Sequence, residues 1–131
     1  GHLIADELLE DNARTIVGPV ISERCKPELR NHTIETAGVL NKAGVPMCIC
    51  TDHPVVPEQY LPLSAGLAVR GGLDRNEALK AITIYPAQIT GIADRVGSIE
   101  VGKDADIVIF SGDPLSVCDT PDMVIVNGTV I

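Results

Sequence analysis

The predicted fold of this chain is decided by two apolar stretches, Thr15-Ile16-Val17-Gly18-Pro19-Val20-Ile21 and Val45-Pro46-Met47-Cys48-Ile49-Cys50. Each is short and apolar throughout, which indicates a strand that is buried on both faces. Between them lie a charged, Pro-containing stretch (22–31) and an apolar pattern at helical spacing (33–43) that stops at Gly44. This order of strand, loop, helix and strand predicts an α/β fold with a parallel sheet.

Helical patterns continue on both sides of this unit. Leucine and isoleucine among acidic residues predict an amphipathic helix over residues 3–12. After the second strand, a stretch interrupted by prolines leads into a helix around residues 64–69, which Gly71-Gly72 ends. Asp74 and Glu77 then have the separation of a capping box, with Asp in place of the usual Ser or Thr. They predict the start of a further helix.

The residue pattern changes in the last part of the chain. A glycine-containing turn there precedes a predicted strand over residues 105–110. Asn127-Gly128, between two β-branched runs in residues 123–131, is the strongest short signal of a β-hairpin. The change predicts two units: residues 1–96, with strands and helices in alternation, and residues 97–131, made of β-strands.

The composition argues against several classes of function. The net charge of −8 argues against binding to nucleic acids or to anionic membranes, and aromatic residues, at 2% of the chain, are too few for base-stacking platforms. No apolar run approaches the roughly 20 residues of a membrane-spanning helix. The four cysteines form no CxxC pair, and the composition is typical of an intracellular enzyme with reduced thiols. We therefore expect a cytoplasmic protein with an aliphatic core.

Asp52, directly after the second predicted strand, is the best candidate for a chemical role. Side chains alternate along a strand, so Cys48, Cys50 and Asp52 are predicted to share one face. At the carboxyl end of a strand in a (β/α)8 barrel, a carboxylate can bind a divalent metal and take a proton from its bound water. Asp before His-Pro is also common at the start of a turn, and the residues alone favour that structural interpretation.

The other candidate ligands have weaker support. His53 could bind a metal or a substrate, although the residues favour an ordinary loop histidine; His32 is predicted at the surface, and His2 has no defined role. The three histidines lack the spacing of a zinc site such as HxxxH or HxH. Cys48 and Cys50 form a CxC pair in an apolar run, which is more typical of core packing than of metal binding.

Beyond these patterns, most of the chain resembles the carboxy-terminal part of metal-dependent amidohydrolases, best of all their imidazolonepropionase-like branch. The similar segments are Leu3–Leu8, Thr51-Asp52-His53-Pro54, Ala78–Ala87 with Gly91, Gly97–Ile109 and Val124–Val130. The segment Gly97–Ile109 is the most specific of them. The resemblance implies a metal-bearing (β/α)8 (TIM) barrel with a small β-sandwich. This chain would supply the last two barrel strands with their helices and the C-terminal part of the sandwich.

The resemblance also implies a site and a reaction. Asp52 matches the family's aspartate after the eighth strand, which binds the metal and acts as general base toward the hydrolytic water. His53 beside it is a candidate contact to the substrate. The implied cofactor is a divalent metal, with zinc as the expected ion. The implied reaction is hydrolysis of a C–N bond in a cyclic amide or a related small molecule.

The family's other metal ligands have no match in these residues: the HxH pair after the first strand, the middle lysine or glutamate, and the two later histidines. One carboxylate cannot hold a catalytic zinc, which normally takes three protein ligands. We therefore expect a fragment that is inactive alone and that forms homo-oligomers through its exposed sheet edge. The alternative is a non-catalytic stand-alone or interaction domain derived from the same fold.

Overall fold

The computed structural model describes residues 1–131 and has two separate sheets connected by short helices. The helices are α1 (Ala5–Glu10), α2 (Thr36–Lys42), α3 (Leu61–Arg70), α4 (Arg75–Ala81) and α5 (Ile84–Thr90). The strands are β1 (Thr15–Val17), β2 (Met47–Ile49), β3 (Ile107–Ile109), β4 (Met123–Val126) and β5 (Thr129–Val130). Single 3-10 turns cover His2–Ile4, Pro27–Leu29 and Glu58–Tyr60. None of these helices is both long and apolar enough to cross a membrane.

The two apolar stretches form a parallel pair of strands. Thr15 lies opposite Met47 and Val17 lies opposite Ile49, and α2 belongs to the crossover that connects β1 to β2. Helices α2 and α5 both pack against β2. The predicted α/β unit is confirmed. Because the two strands run in the same direction, their carboxyl ends lie at the same edge of the sheet.

β1 is shorter and more exposed than predicted. All of β2 is buried, but Ile16 in β1 is 60% exposed. β1 has a neighbouring strand on one side only, so its other edge is uncovered in this chain. The strand ends at Val17, just before Gly18 and Pro19, and a proline has no backbone N–H to continue a ladder of hydrogen bonds. The prediction of a strand to Ile21 that is buried on both faces was therefore wrong.

The core against β2 consists of small and aliphatic side chains, as the low aromatic content predicted. Ala65 and Ala68 of α3, together with Ala78 and Ala81 of α4, are fully buried, and these two helices pack against each other. Leu40 of α2 is the largest apolar side chain that is completely enclosed. Alanine lets neighbouring helices approach closely, so the core reaches close packing without aromatic rings.

The helix start predicted at Asp74 is confirmed, but only half of the capping box forms. The Asp74 carboxylate accepts hydrogen bonds from the backbone N–H of Asn76 at 2.8 Å and of Glu77 at 3.2 Å. These bonds satisfy two of the backbone donors that a helix leaves unpaired at its amino end. The reciprocal bond, from the Asp74 N–H to the Glu77 carboxylate, is replaced by contacts of Glu77 to other side chains.

Glu77 connects three helices instead. Its carboxylate accepts hydrogen bonds from the Asn41 amide of α2 at 3.1 Å and from the Tyr85 hydroxyl of α5 at 2.6 Å, and it pairs with Lys80 at 2.8 Å. The bonds from Lys80 and Tyr85 hold the pKa of Glu77 below its ordinary value. The bond to this carboxylate in turn raises the pKa of the Tyr85 phenol. The charged form of Glu77 therefore stabilises the packing of α2, α4 and α5.

Replacing Glu77 with glutamine is expected to lower the free energy of unfolding at pH 7 by about 1 kcal/mol, because a neutral amide loses the charge-assisted bonds. A carboxyl group with a depressed pKa adds stability above its ordinary pKa of 4.5, and this stability is lost as the pH falls through the lower pKa of the folded state. In urea unfolding, the difference between variant and wild type should therefore shrink below that pH. Glu23→Gln, at an exposed position, is the control. A difference that does not change with pH would contradict the prediction.

The last three strands form an antiparallel sheet. Ile107 of β3 pairs with Ile125 of β4, and β4 leads into β5 through Asn127-Gly128, whose φ angles are 49° and 75°. Positive φ at both central positions is the geometry that Asn-Gly favours in a two-residue hairpin turn. The predicted hairpin is confirmed. The strand predicted over residues 105–110 is present in its central part, β3.

The segment before β4 attaches this antiparallel part of the chain to the helices. Arg75 of α4 pairs with the Asp113 carboxylate at 2.6 Å, and Leu115 is buried in the core formed by the helices and β2. Gly66 of α3 leaves room for this contact, because a Cβ at that position would lie 2.6 Å from the Leu115 carbonyl oxygen. The division into residues 1–96 and 97–131 stays a prediction, since Leu115 shares the core of the first unit.

Leu115→Ala is expected to lower the free energy of unfolding by about 2–4 kcal/mol, because it leaves a cavity in the shared core. Val117→Ala is the matched control, since Val117 is 75% exposed. This substitution should lower the free energy of unfolding by less than about 0.5 kcal/mol. Urea unfolding followed by far-UV circular dichroism measures both variants. Equal losses of unfolding free energy in the two variants would show that Leu115 does not hold residues 97–131 against the helices.

Candidate functional site

The candidate site lies at the edge where both parallel strands end. Asp52 follows β2 at this edge, and its side chain is exposed. Its φ angle is 54°, in the left-handed region that aspartate adopts more readily than most residues other than glycine. Because the strand ends at Ile49, the alternation of side chains does not continue to Asp52. The prediction that Cys48, Cys50 and Asp52 share one face of a strand was therefore wrong in its geometry.

The backbone around Asp52 is held by hydrogen bonds on both sides. Before it, the Cys50 N–H donates to the Val17 carbonyl of β1 at 2.9 Å, which extends the parallel pairing beyond β2. After it, the Val55 N–H donates to the Asp52 carbonyl at 2.8 Å, and the Val56 N–H donates to the carbonyl of the residue before Asp52 at 3.3 Å. Val56 is buried and anchors this turn. The carboxylate thus projects from a constrained turn.

The two cysteines of β2 and its extension behave as packing residues. Burial raises the pKa of the Cys48 thiol, and the neighbouring Cys50 raises it further. Burial also raises the pKa of the Cys50 thiol. Both thiols therefore stay protonated near neutral pH, which supports the core interpretation of this CxC pair. All four cysteines of the chain are free thiols.

The histidines occupy three separate positions. His53 is exposed beside Asp52. His32 is half-buried rather than at the surface as predicted: its Nε2 lies 3.0 Å from the Pro19 carbonyl oxygen, and its own carbonyl accepts a bond from Arg24 at 2.8 Å. His2 Nδ1 lies 3.0 Å from a threonine hydroxyl in α2. His32 therefore holds the loop after β1, and neither His2 nor His32 joins Asp52.

The residues of this chain fit one ligand position of a metal site, not a complete one. No group of three histidine, cysteine, aspartate or glutamate side chains is placed to hold a metal ion. A catalytic zinc site normally uses three protein ligands and keeps a further position open for water. Asp52 offers one exposed carboxylate with no side-chain partner in competition for it. Any further ligands would have to come from outside these residues.

Three cavities of the chain are not lined by this carboxylate. One, of about 500 Å³, lies at the amino ends of the strands beside Arg14, Pro46 and Tyr85. A second, of about 480 Å³, lies along β1 and α2, and a third, of about 820 Å³, lies between α3, α4 and the antiparallel sheet. Neither Asp52 nor His53 lines any of the three. Asp52 is exposed at the carboxyl edge of the parallel strands.

Sequence reasoning overlooked one residue of this edge, Gly18. A Cβ on Gly18 would overlap the Cys50 carbonyl oxygen and would lie 2.8 Å from the Cys50 sulfur. The predicted strand over residues 15–21 has Gly18 in its interior, and an interior strand glycine can mark a close approach of another backbone. The pairing of β1 with β2 places Gly18 just after the end of β1, and this position brings it against Cys50.

A comparison with known families shows which family this chain belongs to. The sequence model of the amidohydrolase family matches residues 4–131. The chain belongs to the amidohydrolase family. The resemblance noted in the sequence is therefore confirmed. The fold of this family is a TIM barrel, and the parallel pair with its crossover helix is a unit of the kind that such barrels repeat.

Three relatives show how much of an amidohydrolase this chain covers. A solved amidohydrolase from Thermotoga maritima MSB8 superposes with a TM-score of 0.94 at 38% identity, over 99% of this chain and 34% of that one. Amidohydrolase tasK of Hapsidospora irregularis is 35% identical over 104 residues, which are 79% of this chain and 11% of the relative. Imidazolonepropionase of Geobacillus kaustophilus is 46% identical over 72 residues, 53% of this chain and 17% of the relative. The chain thus spans less than a fifth of the two curated relatives and about a third of the solved structure.

Proposed function

We propose that this chain is part of an amidohydrolase that hydrolyses a C–N bond in a cyclic amide or a related small molecule. The observation that carries the proposal is Asp52, an exposed carboxylate at the carboxyl end of a parallel strand. That is the end at which (β/α)8 barrels keep their catalytic groups. Family membership and the similarity to imidazolonepropionases support the same class of reaction.

In this proposal the chain supplies the end of the barrel. β1 and β2 are its seventh and eighth strands, residues 1–96 belong to the barrel, and residues 97–131 belong to a small β-sandwich. The uncovered edge of β1 and the separate antiparallel sheet support this arrangement, because both leave surface for further strands of a longer protein.

Asp52 then has two roles in the full-length enzyme. It provides one ligand to a divalent metal, with zinc as the expected ion, while residues outside this chain provide the others. The metal supplies a water of lowered pKa, which is a nucleophile at neutral pH. The Asp52 carboxylate takes the proton from the hydrolytic water as a general base. His53, exposed next to it, contacts the substrate.

A second candidate function is a non-catalytic domain derived from the same fold. The observation that favours it is the single carboxylate: no cluster of potential ligands surrounds Asp52 within this chain. The two functions predict different effects of replacing Asp52: turnover by the full-length protein falls if Asp52 is catalytic and is unchanged if this domain is non-catalytic.

Asp52→Asn is expected to lower kcat of the full-length enzyme about 100-fold or more, because the amide cannot accept the proton from water. Hydrolysis of a panel of cyclic amides, with metal content measured in parallel, tests this expectation. Asp94→Asn, at an exposed turn, is the control and should leave kcat unchanged. The 131-residue chain alone should show no turnover. Full activity of the Asp52 variant would support the non-catalytic function instead.

We also propose that the isolated chain associates with a second copy through the uncovered edge of β1. That edge presents unpaired backbone groups together with Ile16, which is 60% exposed. Sedimentation velocity should show a dimer or larger species. Ile16→Lys is expected to shift the chain toward monomer, because a charged side chain on an edge strand disfavours pairing. A wild-type chain that sediments only as a monomer would contradict the proposal.

A further inference from the structure

The turn between β4 and β5 contains a pair of residues that can react with each other. Asn127 is the only asparagine of the chain that is followed by a glycine, and both residues of the pair are exposed. Glycine has no side chain to shield its backbone nitrogen, so this nitrogen can approach the carboxamide carbon of the residue before it. Asparagine is also one of the thermolabile residues of proteins. The side-chain amide of Asn127 is therefore the one in this chain that is most easily lost.

The reaction open to this pair is ring closure followed by hydrolysis. The Gly128 backbone nitrogen loses its proton and attacks the Asn127 Cγ. The new N–Cγ bond forms as the Cγ–Nδ2 bond breaks, and the side-chain amide leaves with that proton as ammonia. Water then opens the resulting succinimide at either carbonyl, which yields aspartate or isoaspartate. The conversion consumes water and needs no oxidant, reductant or cofactor.

The fold holds both residues of the pair by their backbone N–H groups. The Asp106 carboxylate accepts a hydrogen bond from the Asn127 N–H at 2.9 Å, and the Ala105 carbonyl accepts one from the Gly128 N–H at 3.0 Å. The first of these bonds is charge-assisted, and the second engages the nitrogen that would have to attack. Ring closure therefore requires that the turn first open locally.

Neither acceptor belongs to the hairpin itself. Ala105 and Asp106 lie directly before β3, and Asp106 is 21 positions away from Asn127. The pairing of β3 with β4, in which Ile107 lies opposite Ile125, brings this stretch beside the turn. The protection of the turn thus depends on the strand next to the hairpin, which the Asn-Gly sequence alone does not specify.

We propose that Asn127 is a site of deamidation and that the Asp106 carboxylate, together with the Ala105 carbonyl, holds the reaction back in the folded protein. Modification proceeds from the locally opened turn. Isoaspartate adds a carbon to the backbone, so the two-residue turn and the pairing of Val126 with Thr129 are lost with it. The inference does not depend on the proposed function of Asp52.

Incubation of the full-length protein at mildly alkaline pH, followed by peptide mapping with mass spectrometry, measures the loss of the Asn127 amide. In the folded protein this loss is expected to be at least about tenfold slower than in the same protein unfolded in guanidinium chloride, because the turn must first open. Asn12 is the internal control: its φ angle of 50° is similar, but alanine follows it, so it should lose its amide far more slowly. Equal rates in folded and unfolded protein, or equal loss at Asn12 and Asn127, would overturn the inference.

Replacement of Asp106 tests the contact directly. Asp106→Ala removes the acceptor and is expected to raise the deamidation rate of the folded protein about tenfold. Asp106→Asn keeps a neutral acceptor of the same size and should raise this rate by about threefold or less. Asp122→Ala is the matched control, since it removes an exposed carboxylate directly before β4, at the end of the strand away from the turn. It should leave the rate unchanged, and equal rates in Asp106→Ala and Asp122→Ala would overturn the role of Asp106.

Hydrogen–deuterium exchange separates loss of this contact from a general loss of structure. In Asp106→Ala, exchange of the Asn127 amide should rise by about the same factor as deamidation, about tenfold, while amides within β4 keep their wild-type rates. An equal rise throughout the sheet would show general unfolding and would overturn the role of Asp106. If Asp106→Ala does not fold, Asp106→Asn and the comparison of folded with unfolded wild type decide the inference.

Discussion

The register of β1 against β2 is the constraint on which the rest of this structure depends. With Thr15 opposite Met47, the two strands end together, and the residues that follow them meet at one edge. A shift of the pairing by one residue would move Gly18 away from Cys50 and would turn the side chains of β2 to the opposite faces of the sheet. The position of the candidate site therefore depends on the three-residue pairing of β1 with β2. The burial of β2 fixes the register of that pairing.

Helices with very small side chains bury β2. The alanines of α3 and α4 let these helices pack closely, and Leu40 of α2 is buried in the same core. Close packing of this kind tolerates little displacement, so the position of β2 is well defined. The same principle extends to the antiparallel part of the chain, where Gly66 admits the Leu115 backbone. Rigid elements of this kind are suited to carry a functional side chain at their ends.

The polar contacts of the chain divide into supporting and potentially catalytic ones. The Glu77 carboxylate contacts Asn41, Tyr85 and Lys80, and these contacts stabilise the packing of the helices. Asp52, in contrast, is exposed and its side chain is bound by no other group of the chain. A carboxylate held in a constrained turn but left without a partner is available to a ligand. A single such carboxylate is also insufficient for a metal, which is why the full-length protein is needed for the proposed chemistry.

The sequence by itself determined the order of the elements, the parallel pair, the Asp74 helix cap, the Asn-Gly hairpin and the family, because each of these depends on neighbouring residues or on a contiguous motif. It also singled out Asp52. It did not determine where β1 ends, because that depends on which strand lies beside it. It did not reveal the contact of Glu77 with Asn41 or the approach of Gly18 to Cys50, each of which joins residues 30 or more positions apart. Those were decided by the tertiary structure, since only the packed helices and the strand register bring such distant groups into contact.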